Sequence, residues 1–305
     1  MAIYIISAVI IIGCIVTVLF CRRYVRQAFN SIDSVLEKIL SKDIKLLSEI
    51  TDENRISKLT HKARRILDMC VSEAAQTKEE KEIIQGFISD MSHQMKTPLS
   101  GISMYADLLL EGNLSDDEQA EFLSRMKSGT EKLQWIMDSL IKMSRLEVGA
   151  IQINPAEANI KQTISDAIGS VIAAAAKKNI NISVSDFRDA LLYHDRKWTR
   201  EAIANVLENA VKYSAPDGEI KVSAEPLPIY TKIIITDYGI GIDKNDWHLI
   251  FKRFYRGQNA SDKEGAGLGL YLAALIMEKQ GGYIMVDSVP GRFTSFSVFL
   301  QNCKN

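Results

Sequence analysis

The chain has 305 residues, 47% of them hydrophobic and 25% charged, and its 37 basic and 38 acidic side chains leave a formal net charge of −1. That balance excludes a globally basic protein, so direct nucleic-acid binding is not expected, and it excludes a long acidic or disordered chain. The length suits roughly two domains of about 150 residues. The four cysteines, at 14, 21, 70 and 303, form no CxxC pair, which argues against structural zinc or a disulfide scaffold and for a reduced, intracellular bulk.

From Ala2 to Phe20 every residue is apolar, or small and uncharged. A helix of about 20 such residues spans a bilayer core of about 30 Å. Arg22, Arg23 and Arg26 follow at once, which favours the cytoplasmic side for everything after them. No charged region precedes the run and no small-x-small site closes it, so an uncleaved anchor over residues 1–21 is expected rather than a signal peptide. The expectation is a single-pass protein of the cell membrane with everything after the span in the cytoplasm. With no second span and no external domain expected, the outside holds almost nothing, and a membrane-protein partner is one expected contact of the anchored end.

Beyond the arginines, Phe29, Ile32, Leu36 and Ile39, and then Ile56, Leu59, Ala63, Ile66 and Cys70, recur at spacings of three and four. This is a helical seam of the coiled-coil type, so residues 22–82 read as a helical stalk, interrupted at Thr51–Arg55 by a connector or stutter. It is either a plain dimer stalk or a signal-relaying helix pair. The pattern resumes through Ile83, Ile84, Phe87, Ile88, Met91 and Met95, and Pro98 should kink this helix without necessarily ending it. Glu111–Asp116 reads as a turn, and a second amphipathic helix runs from about Asp117 to Leu146. Two long helices with a short loop make an antiparallel hairpin over 83–150, whose wide apolar stripe is naturally buried by dimerisation into a four-helix bundle.

Past Gly149 strands and helices alternate. Residues 180–184, 219–223, 232–236 and 295–300 read as strands and 160–178, 196–213 and 268–280 as helices, which fits a sheet covered by helices over 151–305.

Five segments carry candidate chemistry. Ser92–Pro98 places His93 and Thr97 on one helix face, and a neutral imidazole is a competent nitrogen nucleophile at cytoplasmic pH. Asn205 and Asn209 share a face four residues apart; an amide oxygen suits a magnesium ion bridging phosphates, and Lys212 is a point cation for phosphate. Asp237-Tyr-Gly-Ile-Gly241 follows an apolar strand, offering a carboxylate to an exocyclic amine and backbone to a flat ring. Phe251–Arg256 sets two cations among aromatics, and also fits a packed helix end with a basic rim. Gly265-Ala-Gly-Leu-Gly269 opens an amphipathic helix, where free amides meet phosphate. No strand precedes this run and no Walker sequence exists, so a lid over a nucleotide fits better than a dinucleotide fingerprint.

Taken in order, these segments over about residues 85–303 resemble the sensor histidine kinases of two-component signalling: a histidine box at 92–98, an asparagine box at 205–214, glycine boxes at 237–241 and 265–270, and a phenylalanine box at 251–256. His194-Asp195 before Trp198, and Asp287-Ser288 with Gly291 and Phe296, look like the same family's ATP-binding domain. The resemblance implies a multidomain α plus α/β protein: transmembrane helix, stalk, dimeric phosphoacceptor hairpin, and a two-layer α/β sandwich of the GHKL (Bergerat) type. It implies ATP and Mg2+ as cofactors, with His93 the phosphorylated nucleophile, Asn209 the magnesium ligand and Asp237 the adenine contact beside Gly239 and Gly241. Asn205, Lys212, Tyr213, Arg253 and Arg256 would line the nucleotide and phosphate region, and Gly265, Gly267 and Gly269 would form the lid. Thr97 would help position water for dephosphorylating a cognate response regulator, which, with a second copy of the chain, is the expected partner.

Two positions sharpen the expected chemistry. Related ATP-hydrolysing folds place a glutamate where this chain has Asn205, and an amide cannot act as a base, so transfer to histidine is favoured over hydrolysis, the runner-up activity. The family commonly has an acidic residue directly after the histidine, whereas this chain has Gln94, which can orient the ring but cannot deprotonate it. A catalytically silent nucleotide-binding relay is the reading in which Gln94 marks loss of transfer.

Overall fold

The computed structural model describes residues 12–27, 29–30, 55–112, 114–187, 190–257 and 265–303, and the chain divides into two compact units, Met1–Gly86 and Phe87–Asn305. In the first unit residues 12–27 form a helix, α1, whose side chains are exposed. Residues 1–11 of the expected span lie outside the described residues. Among the described residues no helix is long and apolar enough to cross a membrane. The seam positions Phe29, Ile66 and Cys70 are exposed, while Ile32, Leu36, Ile39 and the connector at 51–54 lie outside the described residues.

Helix α2, Arg55–Glu111, runs through Pro98 without ending. Helix α3, Asp116–Glu147, begins where sequence logic puts it: Ser115 accepts from the Glu118 amide while the Glu118 carboxylate accepts from the Ser115 amide, a reciprocal capping box. The two helices approach closely at Gly129, where a β-carbon would lie 2.9 Å from Ile102 Cγ1. The C-terminal half of α3 buries Ile136, Met143 and Leu146 in the core that it shares with the following α/β region.

That region holds a five-stranded sheet of order β2-β4-β5-β7-β6, from β2 (Asn181–Val184), β4 (Glu219–Pro226), β5 (Tyr230–Asp237), β6 (Tyr283–Val289) and β7 (Phe293–Gln301). Only β2 and β4 pair in parallel. A separate ribbon pairs β1 (Ala156–Asn159) with β3 (Leu191–His194). Helices α4 (Ile160–Lys177), α5 (Arg196–Tyr213) and α6 (Gly269–Glu278) form the second layer, with α5 between the other two. Strand alternation explains the layering: Thr231, Ile233, Ile235 and Asp237 of β5 and Thr294, Phe296, Val298 and Leu300 of β7 are buried on one side, while Phe299, out of phase, is buried as well. The same alternation carries Asp237, the last residue of β5, onto the buried side.

Candidate functional site

Helix α5 is anchored at both ends. Asp195 caps its start through the Lys197 and Trp198 amides, and the Asp195 amide itself donates to Gln280 Oε1 at 2.7 Å. His194 is buried, its ring nitrogens 2.9 Å from Thr163 Oγ1 and 3.0 Å from the Leu192 carbonyl, and burial pushes its pKa down. Asp195 thus caps α5, while His194 ties the end of β3 to Thr163 of α4. At the other end the Lys178 ammonium donates to the carbonyls of Val211 and Lys212, both at 2.8 Å, which satisfies the last turn of α5.

Between these anchors Asn205 and Asn209 each donate their amide nitrogen to the backbone carbonyl one turn back, at 2.8 and 3.0 Å. With its nitrogen engaged, Asn209 keeps its oxygen, the atom type a hard cation takes, and the residue lines the cavity described below. Lys212 donates to the Tyr213 hydroxyl at 2.8 Å and lies over that ring. Burial raises the Tyr213 pKa.

Asp237 is 3% exposed. Its carboxyl pKa is pushed up to about 6 by burial, opposed by the Gly239 amide, which donates to Oδ1 at 3.0 Å. Two glycines let backbone close around it. A β-carbon on Gly239 would stand 2.3 Å from the Tyr213 carbonyl oxygen; one on Gly241 would stand 2.3 Å from the Val289 carbonyl oxygen, at a φ of +69° that side chains rarely adopt.

Asn205, Asn209, Lys212, Tyr213, Asp237, Gly241, Arg256, Gly265, Gly267 and Gly269 all line one cavity of about 440 Å³, a size typical of small-ligand sites. The lid glycines reach it because the Phe254 amide donates to the Gly267 carbonyl at 2.9 Å and α6 starts at Gly269 without a side-chain cap. Gly239 adjoins Asp237 just behind the wall. Arg253 departs from expectation. It lies outside the cavity lining and instead bonds Glu147 of α3 and the Tyr271 hydroxyl, with its guanidinium 5.0 Å from the centre of the Phe87 ring. Tyr271 also donates to Glu147 at 2.7 Å. This ion-paired cluster holds the end of the hairpin against α6.

His93 and Thr97 are exposed on α2 and Gln94 is half-buried; none of the three lines the cavity. The Thr97 hydroxyl is 3.4 Å from the His93 carbonyl, and among the described residues no side-chain bond joins Gln94 or Asp90 to the imidazole. The residues that sequence reasoning missed include Asp243, Asp246 and Thr294 and, above all, Ser128, Glu131, Lys132 and Trp135 of α3, which form one wall of the cavity. Their helical spacing was visible, but nothing local says what that face meets.

Two family models match the chain. Residues 84–149 match the His Kinase A (phospho-acceptor) domain, and residues 194–303 match the histidine kinase-, DNA gyrase B- and HSP90-like ATPase. The chain belongs to the sensor histidine kinase family. Sensor protein kinase WalK of Staphylococcus aureus is 31% identical over 75% of this chain and 56% of its own length. Sensor-like histidine kinase SenX3 of Mycolicibacterium smegmatis is 27% identical over 82% of this chain and 66% of its own. Across the curated relatives it matches, the chain spans from about a quarter to about two thirds of their own length, 26% of sensor histidine kinase GacS of Pseudomonas protegens and 38% of WalK from other Staphylococcus aureus strains. Among solved structures, histidine kinase ThkA in complex with response regulator protein TrrA shares the fold, with a TM-score of 0.61 at 18% identity, over 76% of this chain and 66% of that one. For this sensor histidine kinase, the cavity falls in the ATPase-like segment and its α3 wall in the phospho-acceptor segment.

Proposed function

We propose that the chain is a membrane-anchored, homodimeric protein-histidine kinase that takes the γ-phosphoryl group of ATP onto His93 and passes it to an aspartate of a response regulator. The observation that carries this reading is the buried Asp237 in one cavity with Asn209, Lys212, Arg256 and the lid glycines. Such a site has an acceptor for an exocyclic amine, an amide oxygen suited to magnesium, and cations and free helix amides suited to phosphate. Asn209 would hold the Mg2+, which when bound neutralises phosphate charge. No glutamate occupies position 205 to activate water, so the cavity is better suited to hold ATP for transfer than to hydrolyse it. The imidazole supplies its own lone pair, and because transfer is in-line, positioning and charge neutralisation dominate its rate.

His93 must enter the cavity for this chemistry, so the reading requires the α3 wall to move away and α2 to approach. Thr97, one turn from His93, is the residue proposed to position water when the regulator is dephosphorylated. The response-regulator partner is supported by the solved ThkA–TrrA complex, the dimer by the phospho-acceptor family match, and the anchor by the apolar run Ala2–Phe20 with its arginine flank. Incubating the full chain with γ-labelled ATP and Mg2+ tests the proposal. Acid-labile, base-stable label on the native chain and none on His93→Ala is the expected result; no label on either identifies a silent nucleotide-binding relay instead.

A further inference from the structure

The wall that α3 gives to the cavity contains one lysine, and its surroundings make it more than lining. Ser128, Glu131, Lys132 and Trp135 fall at three- and four-residue spacings, one continuous face of the helix turned to the cavity. Register against α5 is set by the ion pair of Lys142 with Glu201, at 2.6 Å. Moving from Glu201 to Asn209 advances about 12 Å along α5, and moving back from Lys142 to Lys132 advances about 15 Å along α3. Both segments line the same cavity, so Lys132 and the turn that carries Glu208 and Asn209 bound one space, at the end of α5 where phosphates belong in the proposed function.

Among the described residues, the acidic side chains that line this cavity are Glu131, Glu208, Asp237, Asp243 and Asp246, and no ion pair joins any of them to Lys132. Glu131 faces Lys127 at 3.9 Å, and Glu208, also on the cavity wall, is influenced by Glu201 and Lys142. Lys132 is half-buried and, among the described residues, has no hydrogen-bond or ion-pair partner. A half-buried ammonium beside a cavity is stabilised by whatever anion fills it.

We infer that Lys132 is a phosphate-binding residue contributed by the hairpin, which completes the cation set begun by Lys212 and Arg256 when α3 is docked. This rests on the ATP reading of the cavity and deepens it: the nucleotide bridges the hairpin and the catalytic segment. By linkage, a polyphosphate that binds Lys132 must also tighten docking, and by the same factor. Since His93 does not line the cavity in this arrangement, Lys132 holds the nucleotide in a resting state and not in the transferring one.

The test is calorimetric titration of the full chain in Mg2+ with ATP, ADP and adenosine, comparing the native protein with Lys132→Ala and Lys132→Arg. The alanine variant is expected to bind ATP about five- to tenfold more weakly, the size of a contact from a cation that solvent still partly screens. The loss should be smaller for ADP and absent for adenosine, and Lys132→Arg should restore ATP binding. Native-like ATP affinity in Lys132→Ala overturns the inference while leaving the cavity's assignment intact. An equal loss for adenosine also overturns it, because that marks structural damage. Failure of the native chain to bind ATP at all overturns the proposed function itself.

Discussion

Asp237 and His93, the two residues on which the proposed reaction turns, stand in opposite surroundings. Asp237 is 3% exposed, fixed by strand alternation, by the Gly239 amide and by backbone packed against glycines on both sides. His93 lies on the exposed face of a helix. The nucleotide half of the site is thus built by tertiary burial, and the acceptor half by helical geometry alone. Changes in the first half should alter stability and binding together, whereas changes in the second should alter chemistry alone.

The most disruptive way to probe the first half is Gly241→Ala. Its β-carbon has no room beside the Val289 carbonyl and its φ is left-handed, so nucleotide affinity should fall more than about 100-fold and stability by about 2–4 kcal/mol, read by calorimetry and thermal unfolding. Asp237→Asn separates the two properties. Loss of a charge-assisted acceptor should weaken ATP binding about 10- to 100-fold. The nucleotide-free protein should instead become more stable. Folding raises this carboxyl from 3.8 to about 6, so the folded state binds the proton more tightly, and the stability contribution present at low pH is lost as pH rises through about 6. At pH 7 burying the charge costs at most about 3 kcal/mol, and Asn removes most of that cost. The gain should vanish below about pH 4, and native ATP affinity should decline as pH falls through about 6; a variant less stable at pH 7 would show that Asp237 is structural.

Smaller effects test the acceptor half. Glu147→Gln weakens the cluster with Arg253 and Tyr271 that holds α3 against α6, and should raise the initial rate of His93 labelling about two- to fivefold by freeing the hairpin, in keeping with a partly exposed ion pair. An unchanged rate would mean that docking does not compete with transfer. Gln94→Glu places a carboxylate beside the imidazole, and about a twofold or smaller rise in labelling rate is expected, because neutral imidazole already has its lone pair. A much larger rise would make proton removal the limiting step.

How far the sequence reveals this arrangement depends on how local each feature is. The α5 asparagines, the Asp237 strand end and the lid glycines were legible because each needs only a periodicity or a turn nearby. The strands Ala156–Asn159, Leu191–His194 and Tyr283–Val289 are not legible in the sequence: the first two are four residues long, and the third lies at a sheet edge with exposed residues at every second position. Arg253 was misplaced because its partner Glu147 lies 106 positions away and no local pattern encodes that pairing. For the same reason the α3 wall, and Lys132 with it, could be found only once the hairpin and the sheet were seen together.

The contrast between a built cavity and an exposed acceptor is tested most directly by titrating ATP and Mg2+ into the His93→Ala chain while assaying it for label. The account requires ATP affinity within about twofold of native together with complete loss of acid-labile phosphate, since His93 does not line the cavity. Retained label, or an affinity changed tenfold or more, would contradict it.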